Sequence, residues 1–218
     1  MFKNLLNLFL QSNCPICQRS TQGEICQYCT KQLQTCYLKN PNYLWQQPLP
    51  VFGWGSYGGA LKRAIAVMKY ENHPEIGRVL GNYLGEAWLL NTPALNKKPV
   101  IVPIPLHAKK LKDRGYNQAA LIAEGFCQTT GLKLKLNGLA RIKETKAQFS
   151  VSGSEREQNL ADAFSIGQDF SRHHPDAPVL LVDDIYTTGA TAKSAVYALH
   201  QSSIAVLGLA AVATTGAQ

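Results

Sequence analysis

No run in this chain approaches the roughly 20 apolar residues that a helix needs to cross a bilayer. Nor is there a G-x-x-x-x-G-K-[ST] element, which excludes a P-loop ATPase, including one that translocates DNA. Acidic residues are scarce, 14 against 22 lysines and arginines, giving a formal charge of +8. That balance favours anionic partners, whether phosphorylated metabolites, nucleic acid or acidic lipid, without choosing among them. Aromatic residues are thin where the basic ones gather: Tyr116 and Phe149 are the nearby candidates, too few to suggest a stacking platform for single strands. Met1 to Leu10 has one lysine and a short apolar run, but no small-residue cleavage site follows, so a cytoplasmic location is expected. Phe2, Leu5, Leu6 and Phe9 fit one face of a short helix and read as a core-docking face rather than a membrane contact.

What is present is ordinary for a soluble globular protein, with 45% hydrophobic and 17% charged residues. A length of 218 residues suits one core with a small appendage. The appendage declares itself early. Cys14, Cys17, Cys26 and Cys29 form a C-x2-C-x8-C-x2-C pattern, whose two knuckles can surround a tetrahedral Zn²⁺ with four thiolates. A redox dithiol would not need its duplicate, and cytosolic disulfides are rare. The surrounding segment is too small and polar for a core of its own. Structural zinc contributes about 10–16 kcal/mol of apparent binding free energy in small fingers, so the metal is expected to decide whether residues 11 to 36 fold. Chelation is then expected to melt that module while the later domain survives. Cys36 is left over and can replace one of the four ligands. Cys127, in an apolar helical stretch, reads as a buried small side chain.

Three prolines, Pro41, Pro48 and Pro50, interrupt regular structure near residue 45. The expected organisation is therefore a cysteine module over 1–40, a linker over 41–50 and a main domain over 51–218. In the main domain, Val51 to Gly59 reads as a strand or hairpin edge, and helices are expected over Ala60 to Lys69 and Glu75 to Leu90. Val100 to Pro105 is a buried strand, followed by a basic loop from His107 to Gly115 and a helix through Gln128. Leu132 to Leu136, Val179 to Val182 and Ile204 to Val212 are further strands. Strands alternating with helices predict an α/β fold with a mostly parallel sheet and flanking helices.

The stretch Val179 to Ser194 concentrates the chemistry. Four apolar residues lead to two adjacent carboxylates, Asp183 and Asp184, then to Thr187, Thr188, Gly189, Ala190 and Thr191 at the start of a helix. A helix start offers free N–H groups and the positive end of a dipole, and hydroxyls add donors, so a phosphate fits. The carboxylates would repel that phosphate, but they can accept hydrogen bonds from sugar hydroxyls or hold a divalent metal through water. Together these features predict a phosphorylated sugar. Two other segments are basic and polar. Arg114-Gly-Tyr-Asn117-Gln118 follows the first buried strand, and its guanidinium and amides can clamp a second phosphate or merely cap a helix. Arg141-x-Lys143-x-Thr145-x-x-Gln148, with Arg156-x-x-Asn159, has few core positions and reads as an active-site cover or as a plain surface loop.

The acidic and hydroxyl-rich stretch resembles the phosphoribosyl-pyrophosphate (PRPP) loop of type I phosphoribosyltransferases. With the four cysteines, Lys69-Tyr70, Val102-Pro-Ile-Pro105, Arg114 to Gln118 and the Arg141 to Asn159 pattern, essentially the whole chain resembles the ComF family, competence protein F and its relatives. The resemblance implies a type I phosphoribosyltransferase fold, PRPP binding with Mg²⁺, and in many bacteria a part in handling DNA taken up during transformation. It assigns Asp183 and Asp184 to the ribose hydroxyls and Thr187, Thr188, Gly189, Ala190 and Thr191 to the 5′-phosphate. Lys109, Arg114, Asn117, Gln118, Arg141, Gln148, Arg156 and Asn159 become candidates for pyrophosphate or its covering loop, with Asp183, Asp184 and Arg114 as the catalytic set. One departure bears on mechanism: the purine-salvage branch has an aspartate, its candidate general base, where Thr187 stands. The runner-up reading is a nucleic-acid accessory protein that docks single-stranded DNA or a helicase partner, with PRPP as a regulatory ligand or none.

Overall fold

A computed structural model describes residues 12–92, 95–143 and 163–216. Its centre is a five-stranded sheet in the order β3-β9-β8-β4-β5, from Val51–Ser56, Val206–Thr214, Val179–Tyr186, Val100–Pro103 and Lys133–Leu134. Every neighbouring pair in it is parallel. Helices cover both faces, as parallel strands require. Leu180 and Val182 of β8 face α2 (Gly59–Tyr70), α3 (Glu75–Asn91) and α5 (Gln118–Thr130), in a core with Ile65, Leu80, Ile122 and Phe126. Val179 and Leu181, alternate residues of the same strand, face α6 (Ala190–Gln201) and Phe170. This explains why the run is continuously apolar: with a period of two, both sets of side chains are buried.

Two outcomes depart from the sequence reading. The basic stretch after β4 is a short helix, α4 (Ala108–Arg114), rather than a loop. His107 caps it by accepting from the Lys109 N–H at 3.4 Å, and Gly115 closes it at φ 82°, the left-handed geometry that glycine adopts without penalty. Lysine, leucine and arginine are good helix formers, and no breaker intervenes before that glycine. The second departure is in β8, which does not end before the acidic pair. It pairs with β9 as far as Asp183↔Ala211, Ile185↔Ala213 and Tyr186↔Thr214. The low strand propensity of aspartate yields here to ladder pairing and to the strand-forming Ile185 and Tyr186.

A small antiparallel pair, β6 (Leu139–Arg141) with β7 (Phe164–Ile166), lies on the α6 side. The amino-terminal module contains β1 (Ser12–Asn13), β2 (Ser20–Thr21) and α1 (Gln27–Gln34). Leu33 of α1 is fully buried in the main core, and Ile16, Ile25 and Cys36 pack against it. The following segment runs along the outer edge of β3, with antiparallel bridges Tyr37↔Gly55 and Leu44↔Val51. Among the described residues no helix is long and apolar enough to cross a membrane. The amphipathic face of residues 1–11 lies outside the described residues.

Candidate functional site

The sheet fixes where a ligand can bind. After β4 the chain moves outward to β5, and after β8 it moves the other way to β9, so the carboxyl ends of β4 and β8 flank a topological switch point. Open α/β sheets bind ligands in such crevices. Here the crevice is a cleft of about 350 Å³, lined on one side by Ile104, Pro105 and Leu106 and on the other by Asp183, Asp184, Thr187 and Thr191.

Because the acidic pair lies within a strand, its two side chains leave on opposite faces. Asp184 shares the face of Leu180 and Val182 and is buried, with Oδ2 2.6 Å from Nζ of Lys69 at the end of α2. That oxygen has no aligned hydrogen bond, so the ion pair is what compensates it. Asp183 shares the face of Val179 and Leu181, on the α6 side. Burial and the neighbouring Asp184 charge raise its carboxyl to about 8, against the Asp184 N–H and the charges of Lys69 and Arg141, which act to lower it. Its Oδ1 accepts from the Asp184 N–H at 2.8 Å.

Beyond the strand, Thr187 to Ala192 and Asp183 line a smaller recess of about 50 Å³ at the start of α6. Gly189 is its pivot. It has φ 75°, and a Cβ there would lie 2.8 Å from the Tyr186 hydroxyl, so both conformation and space call for glycine. The Thr188 hydroxyl accepts from the Ala190 N–H at 3.5 Å.

The opposite wall comes from α4 and the turn into α5. Arg114 donates to Oε1 of the buried Gln118, and both line the cleft. Asn117 has another task. Its Oδ1 caps α5 by accepting from Ala119 N–H at 3.1 Å, and its Nδ2 donates to the Ile104 carbonyl at 3.1 Å, pinning the loop after β4. From α4 it is Lys110, not Lys109, that lines the cleft. Arg141, at the end of β6, also lines it and sits 5.3 Å from the Phe164 ring centroid. Burial lowers its pKa, while the Asp183 charge acts in the other direction. Gln148, Arg156 and Asn159 lie outside the described residues.

Lys69, Tyr57, Tyr70 and Lys110 belong to this cleft without having been singled out for a role from sequence. Lys69 and Tyr70 are part of the family pattern without a role in it, and Lys69 is also the cation in the last turn of an otherwise amphipathic helix. Its partner is too distant in sequence for spacing to reveal.

The four cysteines of the amino-terminal module converge as their spacing predicts. The Sγ atoms of Cys14, Cys17, Cys26 and Cys29 all lie within 4.8 Å of one another, with Cys17 and Cys26 3.5 Å apart. Zinc–sulfur bonds of about 2.3 Å in a tetrahedron set sulfurs roughly 3.8 Å apart, so the cluster fits a metal such as zinc. Burial acts to raise the Cys14 thiol, but hydrogen bonds from the backbone N–H groups of Cys26, Cys17 and Ile16 outweigh it and hold the group at about 7. Such a thiol gives up its proton to a metal readily. Burial and the neighbouring cysteines raise Cys29. Cys36 stands apart, with Sγ 3.7 Å from the Gln32 carbonyl and 3.8 Å from that of Gly58, so it is no member of the cluster. Cys127 is partly buried, its thiol pushed up to about 12 by burial.

No family model matches the chain. Among solved structures, the adenine phosphoribosyltransferase of Trypanosoma brucei, in complex with AMP, pyrophosphate and ribose-5-phosphate, aligns with a TM-score of 0.40 and 12% identity, over 88% of this chain and 69% of that one. Among curated proteins, DNA utilization protein YhgH of Salmonella typhimurium is 25% identical over 189 residues, 82% of this chain and 79% of its own length. Competence protein ComFC of Bacillus subtilis is 26% identical over 182 residues, 82% of this chain and 67% of its own. Competence protein F of Haemophilus influenzae is 32% identical over 196 residues, 85% of this chain and 83% of its own length. On that similarity, which spans 85% of its length, the chain belongs to the competence protein F family.

Proposed function

We propose that the protein binds PRPP in the cleft between β4 and β8 and acts as a phosphoribosyltransferase-type component in the handling of DNA during competence. One observation carries the binding reading: the acidic pair, Thr187, Thr191 and the cations Lys110, Arg114 and Arg141 line one cleft at the switch point of the sheet, and the rest of the Thr187 to Thr191 loop lines the recess that shares Asp183, Thr187 and Thr191 with it. Asp183 and Asp184 take the ribose hydroxyls, and the loop at the start of α6 takes the 5′-phosphate with hydroxyls and backbone N–H groups. Arg114, steadied by Gln118, and Arg141 face the pyrophosphate, with Lys109, Gln148, Arg156 and Asn159 as further candidates for the segment that covers it. Asn117 sets the cleft wall. Mg²⁺ bound with the pyrophosphate supplies charge neutralisation as that group departs. The protein's part is fixed positive charge aimed where negative charge grows, which is how preorganised sites lower barriers. Thr187 offers no carboxylate, so an acceptor that needs deprotonation at that position is disfavoured.

The four-cysteine module holds zinc as a structural ion. The competence and DNA utilization names of the relatives support a role connected with DNA rather than with purine salvage. A direct stacking surface for single strands draws no support from Tyr116, which packs against the main core and donates its hydroxyl to the Met68 carbonyl.

Calorimetric titration of the zinc-loaded protein with PRPP and Mg²⁺ tests this reading, beside Asp183→Ala/Asp184→Ala. Micromolar binding lost in the double variant is the expected result. Absence of binding by the unaltered protein would leave the accessory-protein reading in its place.

A further inference from the structure

The last turn of α2 is held at three consecutive residues by three parts of the site. The Met68 carbonyl accepts from the Tyr116 hydroxyl. Nζ of Lys69 lies 2.6 Å from Oδ2 of Asp184. The Arg114 guanidinium stands 5.8 Å from the Tyr70 ring centroid. Arg114 lines the proposed pyrophosphate wall, with Tyr116 packed on the core in the turn just after it, and Asp184 lines the proposed ribose wall, so this turn touches both sides. The two charged side chains are 16% and 6% exposed, which removes the pair from most of its solvation. An ion pair so placed is not an efficient way to stabilise a fold, because apolar residues of similar volume serve as well. Its presence at the cleft therefore asks for another purpose.

Strand geometry supplies one. Asp183 and Asp184 leave β8 on opposite faces, and Lys69 reaches only one of them as an ion-pair partner. With Oδ2 of Asp184 committed, Oδ1 is the remaining acceptor for a hydroxyl, and its direction is fixed because the carboxylate cannot rotate without breaking the pair.

We infer that Lys69 is a positioning residue for the phosphoribosyl group: it fixes the Asp184 carboxylate for a ribose hydroxyl, and its turn couples that carboxylate to the Arg114 wall. This inference rests on the PRPP reading above, and its test separates the two. PRPP with Mg²⁺ is titrated into the full chain and into Lys69→Met, Lys69→Arg, Asp184→Asn and Lys69→Met/Asp184→Asn. Lys69→Met is expected to weaken binding roughly tenfold or more, within the range of coupling energies for contacting charged residues. Lys69→Arg should restore it to within about threefold, since the charge and donors remain. The double variant should bind no more weakly than Asp184→Asn alone, because Lys69 acts through that carboxylate. Lys69→Met that loses thermal stability but keeps its affinity would show a merely structural pair and overturn the inference. If Lys69→Met does not fold, Lys69→Gln takes its place in the same comparison, and unchanged affinity there overturns the inference equally. Failure of the unaltered protein to bind PRPP removes the function and this inference together, whereas equal binding by the unaltered protein and Lys69→Met removes the inference alone.

Discussion

Asp183 links the site to stability through its proton. Its carboxyl titrates at about 8 in the folded protein against 3.8 ordinarily, so between those values the folded chain keeps a proton that the unfolded chain has released. Stability is then fullest, as far as this group is concerned, below pH 4, and declines as pH rises toward 8. Urea unfolding from pH 5 to 8 should show that decline, and Asp183→Asn should flatten it. A slope unchanged in Asp183→Asn would assign the dependence to another group. The sequence displayed the acids, the hydroxyls and the glycine, and their chemistry could be read directly. It did not display the opposite directions of Asp183 and Asp184, because two aspartates read as a turn until a neighbouring strand is present to pair with them. The pairing of Lys69 with Asp184 was hidden for a related reason: an ion pair between separate elements leaves no periodic trace.

Between elements, α3 and α5 approach backbone to backbone. A Cβ on Gly81 would lie 2.1 Å from the Ile122 carbonyl oxygen, and one on Gly125 would lie 2.3 Å from that of Arg78. Gly81→Ala must push backbone against backbone, and overpacking of this kind costs about 1–3 kcal/mol. Chemical denaturation should register that loss, while a gain in stability, as helix propensity alone predicts for alanine, would refute the close-contact account. Because α5 begins at Asn117 and Gln118, its displacement also moves the cleft wall, so a weaker PRPP titration should accompany the loss. Helices α2 and α3 fall where apolar periodicity puts them. The short α4 escaped because its residues are mostly polar and none is buried, leaving propensity as its whole signal. In the same way a glycine inside a helix reads as a weakness from sequence, and as an interface once the neighbouring helix is known.

At the scale of the molecule, the amino-terminal module is tied to the sheet by more than its chain. Leu33 is fully buried among core residues that include Phe52 and Trp54, and burying a leucine contributes about 1.5–3 kcal/mol. From composition, a polar module with no core of its own should melt alone when its metal is removed. With Leu33, Ile16 and Ile25 packed on the main core, chelation is expected instead to lower the unfolding midpoint of the whole chain in one transition, followed by scanning calorimetry. Two separated transitions would return the module to independence. Spacing revealed the cysteine cluster because metal geometry is local, but docking depends on which leucine meets which sheet, and that is written in no single segment.

The path of residues 37–44 has an effect on solubility. β3 is the outermost strand on its side, and an uncovered outermost strand is a template for pairing with another chain. The Leu38 N–H donates to the Trp54 carbonyl at 3.0 Å, the Gly53 N–H to that of Pro41 at 3.0 Å, and the bridges at Tyr37 and Leu44 complete the seam. The stretch joining metal module to sheet thus works as a gasket: the same residues that carry the chain from one to the other keep a sticky rim from finding a second molecule.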